Sequence, residues 1–261
     1  MGIEAYAEER FEDGGIAHPV YRRGEGPAVV VMHEIPGLTP EVVGFADRVV
    51  ARGFAVWMPS MFGVPGKPFS VGYDVAELAR SCINREFRVF AQRGSSPITV
   101  WLRALCRAAH AAHGGRGVGA LGMCLTGNFA LALMVDPWVM APVLSQPSLP
   151  FAITKDRGAG LHLSDEDLAV VRRRAIDEGV GVLGLRFSHD FMCPAARFAT
   201  LREELGEGFE GIEIDSGPGN AHGIPRRAHS VLTRDLVDVE GHPTREALDR
   251  VLGFFEARLK G

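Results

Sequence analysis

Residues 122–127, Gly-Met-Cys-Leu-Thr-Gly, read as a sharp turn between a strand and a helix, with one nucleophilic side chain, Cys124, at the turn. Residues 116–121 before the turn are small and apolar, as in a short buried strand. Residues 128–134 after it are rich in helix formers. Such a turn needs small neighbours on both sides of the nucleophile, and the glycines at both ends of the stretch supply that room. The pattern predicts a parallel α/β sheet with an exposed thiol at a strand-to-helix turn.

The turn departs from the usual G-x-S-x-G pattern in two ways. Cys124 replaces the serine, and Thr126 stands where the second glycine normally falls, with Gly127 one position later. A thiol at this place is partly activated by the positive end of the following helix. The structural alternative is a buried cysteine at a tight packing point.

Length and composition favour one ordinary globular domain. The 261 residues are 46% hydrophobic and 23% charged, and the formal net charge is −4. This composition is sufficient for a sizeable core, and no basic run indicates a nucleic-acid partner. The longest β-branched run, residues 28–32, is far too short to cross a bilayer. We therefore expect a single domain over residues 1–261 that binds neither nucleic acid nor membrane.

The cysteines favour a reducing compartment. Cys82, Cys106, Cys124 and Cys193 are few and widely spread, and they show no metal-ligand spacing. The first six residues also lack the basic and apolar regions of a secretory signal. The sequence thus predicts a cytoplasmic protein with free thiols and without a metal site.

Strand and helix signals alternate along the chain. A buried strand over residues 28–32 is followed by a helix, with Thr39 as its N-cap and Pro40 at its first position, and then by a strand over 54–59. This alternation predicts an α/β fold with a mostly parallel central sheet and helices on both faces. Residues 61–97 contain several glycines and prolines and are expected to be irregular, and long loops of this kind often cover active sites.

A nucleophile at such a turn predicts an acid after a later strand and a histidine after the next. Asp190 follows the predicted strand 181–187, and His229 lies beyond the predicted strand 211–215. His222 also follows that last strand and is the competing base. Chain order alone leaves both histidines open.

Four motifs make the chain resemble the dienelactone hydrolase family over nearly its whole length, from about residue 28 to 255. They are His-Glu-Ile-Pro-Gly-Leu at 33–38, the turn at 122–127, Asp-Phe-Met-Cys-Pro at 190–194 and Ala-His-Ser at 228–230. The resemblance implies a single α/β-hydrolase domain. It also implies a Cys–His–Asp triad that opens a lactone through a thioester acyl-enzyme without a cofactor, a carboxymethylenebutenolidase-like activity. The resemblance favours His229 over His222 as the base, through residues 228–231 and their distance to the final helix, and residues 217–220 then read as an insertion.

The chemistry of the residues supports these roles. Cys124 attacks as a thiolate, because the neutral thiol is a poor nucleophile. His229 handles the proton, while Asp190 fixes its tautomer and stabilises the imidazolium. The backbone N–H groups of Ile35 and Leu125 are predicted to form the oxyanion hole.

Further residues are predicted at the substrate. A structural reading makes Glu34 a solvated loop carboxylate, whereas the resemblance implies that it contacts the resting thiol and takes part in its activation. The family binds a substrate carboxylate with arginines, one of them four residues past the catalytic histidine. Here Thr233 holds that position and Arg234 follows. Arg85 is a predicted substrate contact, and Arg88 reads as a helix-surface residue.

Two other functions compete with a hydrolase acting on a small-molecule ester or lactone. One is a thiol-based redox sensor, in which Cys193 resolves an oxidised Cys124. The other is a non-catalytic ligand-binding relative, although such proteins typically lose a triad member and this chain retains all three. The sequence leaves the oligomeric state and the physiological substrate open.

Overall fold

The computed structural model describes residues 1–83 and 96–260, so that the predicted substrate contact Arg85, and Arg88, lie outside the described residues. The strands are β1 (Ala7–Asp13), β2 (Ile16–Arg23), β3 (Ala28–Met32), β4 (Ala55–Pro59), β5 (Val118–Met123), β6 (Val139–Ser145), β7 (Val182–Phe187) and β8 (Phe209–Ile214). The helices are α1 (Pro40–Ala51), α2 (Val71–Ile83), α3 (Pro97–His113), α4 (Gly127–Leu133), α5 (Lys155–Ala159), α6 (Asp165–Ile176), α7 (Ala195–Leu205) and α8 (Pro243–Leu259).

These strands form one sheet in the order β1-β2-β4-β3-β5-β6-β7-β8. The pairs β1–β2 and β2–β4 are antiparallel, and the five remaining pairs are parallel. One hydrophobic core contains α1 and α8, and the other contains α3, α4, α6 and α7. The predicted α/β fold, with a mostly parallel sheet and helices on both faces, is confirmed.

The β3 strand shows why a continuous apolar run forms the centre of this sheet. All five of its residues are buried. Ala28, Val30 and Met32 belong to one core, whereas Val29 and Val31 belong to the other. Because side chains alternate between the faces of a strand, a central parallel strand needs apolar residues at every position.

The helix after β3 begins as its sequence predicts. Thr39 has extended backbone geometry, and its side chain accepts a hydrogen bond from the amide of Val42. Pro40 occupies the first helical position, where its missing N–H leaves no donor unsatisfied. This cap fixes where the chain leaves the loop that follows β3, which is one wall of the candidate site.

The segment 61–97 is less irregular than expected, because α2 lies within it. A cluster of glycine and proline residues at 63–68 precedes the helix, and the amide of Asp74 closes the first turn on the carbonyl of Ser70. The helix thus begins just after this cluster, with Gly72 in its first turn. Within residues 1–83 and 96–260, no helix combines the length and apolar character that a membrane span requires.

Candidate active site

The chain turns sharply at Cys124, between β5 and α4. Cys124 has a φ of 53°, in the left-handed region that residues other than glycine rarely adopt. A side chain at Gly122 would clash with the carbonyl oxygen of Thr126, and a Cβ on Gly127 would lie 2.5 Å from the Cα of Pro147. Both glycines are therefore required by close backbone approach, and the turn presents the thiol at the carboxyl edge of the sheet.

Thr126, at the unusual position in the turn, ties the turn to the neighbouring strand. Its hydroxyl accepts a hydrogen bond from the amide of Met123 at 2.9 Å. The same oxygen lies 3.1 Å from the carbonyl of Met32 and 3.2 Å from that of His33, at the end of β3. A glycine could not make these contacts, so the substitution fixes the turn against the loop that carries Glu34 and Ile35.

Asp190 and His229 come together as the chain order predicts. Asp190 follows β7, and its Oδ2 lies 2.6 Å from Nδ1 of His229. Its other carboxylate oxygen, Oδ1, accepts the amide of Met192 at 2.9 Å. Both residues are buried, with 4% of the surface of Asp190 and 5% of that of His229 exposed. The carboxylate is therefore held on two sides and fixes the imidazole ring from behind.

The competing base, His222, lies elsewhere. It is exposed, packs edge-on against His242 at 5.2 Å, and borders a cavity of about 590 Å³ between β8 and α8 that lacks Cys124. The turn that contains His229 is instead closed by Asp235, whose Oδ2 accepts the amides of His229 and Ser230, both at 2.8 Å. The structure thus brings His229, not His222, to Asp190.

Electrostatics favour a charged imidazole at this site. Burial alone would lower the pKa of His229, but the charge of Cys124 and the hydrogen bond to Asp190 raise this pKa well above 6.5. The Nε2 atom of His229 is buried and makes no hydrogen bond of ordinary geometry within the described residues. Cys124 therefore acts on the ring chiefly through its charge, and its hydrogen bond to the ring contributes less.

His33 fixes the loop that contains Ile35. Its ring is fully buried; Nε2 accepts the amide of Met61 at 3.0 Å, and Nδ1 lies 3.0 Å from the carbonyl of Glu34. An Nε2 that accepts a hydrogen bond carries no proton, so Nδ1–H donates to Glu34. Burial lowers the pKa of His33 to about 4, which keeps the ring in this neutral form.

Glu34 is buried, yet its carboxylate makes no hydrogen bond to Cys124 within the described residues. Instead Oε2 accepts Ser230 Oγ at 2.8 Å and Gln146 Nε2 at 3.1 Å, and Oε1 accepts the hydroxyl of Thr233. Burial raises the pKa of Glu34, although the hydrogen bonds from Thr233 and Ser230 act in the opposite direction. Thr233, four residues past His229, thus supplies a hydroxyl that holds Glu34.

A small cavity of about 80 Å³ connects these groups to the surface. The residues that line it are Glu34, Ile35, Asp74, Cys124, Phe151, Met192, His229, Ser230 and Arg234. Arg234 also lies over the ring of Phe69, with its guanidinium carbon 4.6 Å from the ring centroid. Leu125 follows Cys124 directly and is fully buried. The predicted nucleophile, base, Glu34 and Ile35 therefore border one cavity.

The sequence analysis missed several residues at or around the site. Gln146 follows the carboxyl end of β6 and reaches Glu34, and Asp74 enters the cavity from α2. Arg197 is fully buried and donates to the carbonyls of Pro147, Pro150, Arg157, Gly160 and Met192, which hold the loops beside the cavity. Only Gln146 follows a parallel strand directly, so only this residue was accessible from strand order.

The two cysteines of the sensor hypothesis differ in their surroundings. Cys124 lines the cavity, whereas Cys193 is fully buried, and burial raises the pKa of Cys193 to about 12. Both thiols are free. Because thiol exchange proceeds through the thiolate, Cys193 is a poor resolving partner.

The order of nucleophile, acid and histidine along a mostly parallel sheet is that of the α/β-hydrolases. Within that class, the chain belongs to the dienelactone hydrolase family, whose sequence profile matches residues 13–259. The resemblance seen in the four motifs is thereby confirmed, and the family identifies the chain as a hydrolase.

Solved structures of similar proteins share the fold. A putative dienelactone hydrolase from Klebsiella pneumoniae subsp. pneumoniae MGH 78578 has a TM-score of 0.61 and 19% identity, over 95% of this chain and 97% of that chain. The dienelactone hydrolase-like promiscuous phosphotriesterase P91 from metagenomic libraries has a TM-score of 0.59 and 17% identity, over 97% and 98%. A cold-adapted esterase from an Arctic intertidal metagenomic library has a TM-score of 0.60 and 15% identity, over 97% and 93%. No curated protein matches the chain in sequence.

Proposed function

We propose that this hydrolase cleaves an ester or a lactone through a thioester acyl-enzyme on Cys124, without a cofactor. The observation that carries the proposal is the 2.6 Å bond between Asp190 and Nδ1 of His229, which leaves Nε2 free beside a cavity that Cys124 also lines. An oriented base next to a nucleophile at a strained turn is the arrangement that acyl transfer requires.

The reaction has two halves. In the first, the Cys124 thiolate forms a bond to the carbonyl carbon, the tetrahedral intermediate collapses, and the leaving alkoxide takes the proton from Nε2 of His229. In the second, water attacks the thioester while Nε2 takes its proton, and the thiolate leaves. The acid product and the alcohol are released, or one hydroxy acid when the substrate is a lactone. Asp190 stabilises the imidazolium in both halves.

We assign the oxyanion hole to the backbone amides of Ile35 and Leu125. Leu125 follows the nucleophile at the start of the turn, and Ile35 lines the cavity on a loop that His33 fixes through two main-chain hydrogen bonds. Donors held in this way stabilise developing charge without reorganising during the reaction.

We assign Glu34 a structural role in the site, which is to hold neighbouring elements in place. Its three hydrogen bonds join Gln146, Ser230 and Thr233, so the carboxylate connects β6 to the turn that carries His229. We propose that Glu34 fixes this turn and approaches the thiol only when substrate displaces one of these donors. The predicted contact between Arg85 and substrate lies outside the described residues and stays a prediction.

Two alternatives are less well supported. A redox sensor needs a resolving thiolate, and the burial and raised pKa of Cys193 disfavour one. A non-catalytic ligand-binding relative has no need of an oriented acid–histidine pair, and this chain retains that pair beside Cys124. Formation of a Cys124–Cys193 disulfide under mild peroxide would favour the sensor.

Steady-state turnover of a panel of activated esters and lactones tests the proposal. We expect Cys124→Ala to abolish turnover of every substrate while the circular dichroism spectrum remains native. The matched control is Cys106→Ala, because Cys106 is also a free, buried cysteine but does not line the cavity. Unchanged turnover in Cys124→Ala would remove this thiol from the mechanism.

A further inference from the structure

Asp74 places a carboxyl group in the active-site cavity that the mechanism does not use. It lies in the first turn of α2 and lines the same cavity as Cys124 and His229. An acid in the first turn is favoured by the helix dipole, which accounts for its place on the helix. The dipole does not account for its entry into the cavity, where it makes no side-chain hydrogen bond within the described residues.

Arg234 faces the same space with the opposite charge. Its side chain lines the cavity, its guanidinium carbon lies over the ring of Phe69, and its Nη2 lies 3.9 Å from Oδ2 of Asp235. Burial raises the pKa of Asp74, whereas the charges of Arg234 and His229 lower it. Arg234 acts on this carboxyl group only at a distance, since no ion pair within 4 Å joins the two side chains in the described part of the chain. A substrate that enters the cavity is therefore exposed to the charges of both Asp74 and Arg234.

The other carboxyl group at the cavity, Glu34, contributes less to this balance. It is buried and saturated by three donors, and burial raises its pKa. Asp74 is half-buried, and its carboxyl group makes no side-chain hydrogen bond within the described residues. Among the described residues that line the cavity outside the Cys124–His229 pair, Asp74 and Arg234 therefore carry the charges that a substrate meets.

We propose that Asp74 is a specificity-determining residue: it cancels the attraction of Arg234 for anions and so adapts the site to uncharged esters or lactones rather than carboxylated ones. The proposal rests on the proposed hydrolase function and names its substrate class. Unit charges roughly 8 Å apart, at effective dielectric constants between about 80 and 20, change a rate by about threefold to thirtyfold. This is the size of discrimination that we expect from Asp74 alone.

A matched pair of substrates isolates the charge. Mono-4-nitrophenyl adipate and its methyl ester share one chain and one reacting bond, and differ by a single carboxylate. We expect Asp74→Asn to raise the ratio of kcat/KM, anionic over neutral, by about threefold to thirtyfold. Arg234→Gln is expected to lower this ratio by a similar factor. The double variant should return near the wild-type ratio, because the net charge of the pair is again zero.

The control variant is Asp177→Asn, which makes the same change of net charge. Asp177 caps the end of α6, shortly before β7 begins, and so lies at the edge of the sheet opposite the site. The anionic-over-neutral ratio of kcat/KM for Asp177→Asn should equal that of the wild type. An unchanged or lower ratio in folded Asp74→Asn would overturn the proposal.

Alkylation provides a readout that does not depend on turnover. Iodoacetate and iodoacetamide both form a sulfur–carbon bond with the Cys124 thiolate and release iodide, but only iodoacetate is charged. Asp74→Asn should raise the iodoacetate-to-iodoacetamide rate ratio at Cys124 by about threefold to thirtyfold. If no ester is hydrolysed, the proposed function fails, while this ratio still decides the role of Asp74. An unchanged ratio would refute it.

Discussion

Replacing Asp190 by asparagine should almost abolish catalysis while preserving the shape of the site. The structure determines how the new amide is oriented. The amide of Met192 donates to Oδ1 at 2.9 Å, so the asparagine oxygen must stay on that side. The –NH₂ group then faces Nδ1 of His229, where the carboxylate oxygen stood at 2.6 Å. The imidazole is forced to accept at Nδ1 and to keep its proton on Nε2, the wrong tautomer for a base.

Two arguments give the size of the effect. A carboxylate roughly 4 Å from an imidazolium, at an effective dielectric constant of about 20, stabilises the ion pair by about 4 kcal/mol, which corresponds to about a thousandfold in rate. The same substitution in serine-protease triads lowers kcat by about 10⁴. We therefore expect kcat/KM of Asp190→Asn to fall by about 10³- to 10⁴-fold.

The assay is kcat/KM for an activated ester between pH 6 and 9, together with a thermal melt to establish that the variant folds. The charge of Cys124 and the hydrogen bond to Asp190 raise the pKa of His229 in the wild type. Because Asp190→Asn loses the carboxylate, the pKa of His229 should fall and the pH profile should shift to lower pH. A folded variant that retains more than a tenth of the wild-type kcat/KM would refute this reasoning.

Three further predictions follow from the same contacts. His229→Ala should lower turnover by several orders of magnitude, whereas His222→Ala should leave it unchanged; the reverse result in the same ester assay would reassign the base. Gly122→Ala should lower the melting temperature and turnover, because its Cβ would clash with the backbone of the turn, while the control Gly253→Ala, with open space in α8, should raise the melting temperature slightly. Burial lowers the pKa of His33 to about 4 in the folded protein, whereas it is about 6.5 in the unfolded chain. As the pH falls from 6.5, His33 therefore takes up a proton in the unfolded chain before it does so in the folded protein, and the folded state loses stability. Urea titrations should therefore show the wild type losing about 3 kcal/mol more than His33→Gln between pH 6.5 and 4, and equal losses would contradict the assigned neutral ring.

The centre of the fold is predictable because burial on two faces constrains every residue. The continuous apolar run of β3 has one physical use, a strand between two layers of helices, and the threonine–proline start of α1 has one use as a cap. Local sequence therefore sufficed for the alternation of strands and helices, the mostly parallel sheet and the turn at Cys124.

The periphery is less predictable, because its structure depends on distant partners. β1, Ala-Glu-Glu-Arg-Phe-Glu-Asp, is an exposed edge strand whose charges resemble those of a solvated loop. The charged run of residues 166–178 is typical of a solvated helix face, yet Arg174 is buried. Its guanidinium donates to the carbonyls of four residues between α4 and β6, which no local pattern indicates.

The same distinction between local sequence and distant partners applies to the candidate site. Asp190 and His229 follow successive strands, so chain order and the family resemblance together predicted that they meet, although their catalytic roles stay predictions. Gln146 contacts Glu34, which only the folded chain brings near, and Asp74 reaches the cavity only through the packing of α2. Asp235 closes a local turn on His229 and Ser230, but its side chain belongs to no motif that the sequence shows.

The acyl-enzyme on Cys124 is tested most directly by the intact-protein mass during hydrolysis of an activated ester. We expect the wild type to gain the mass of one acyl group transiently, and His229→Ala to hold any adduct longer because deacylation needs the base. Hydroxylamine, which cleaves thioesters, should remove the adduct, and Cys124→Ala should never acquire it. Turnover with no adduct in either protein, or an adduct that persists in Cys124→Ala, would contradict a covalent mechanism at this thiol.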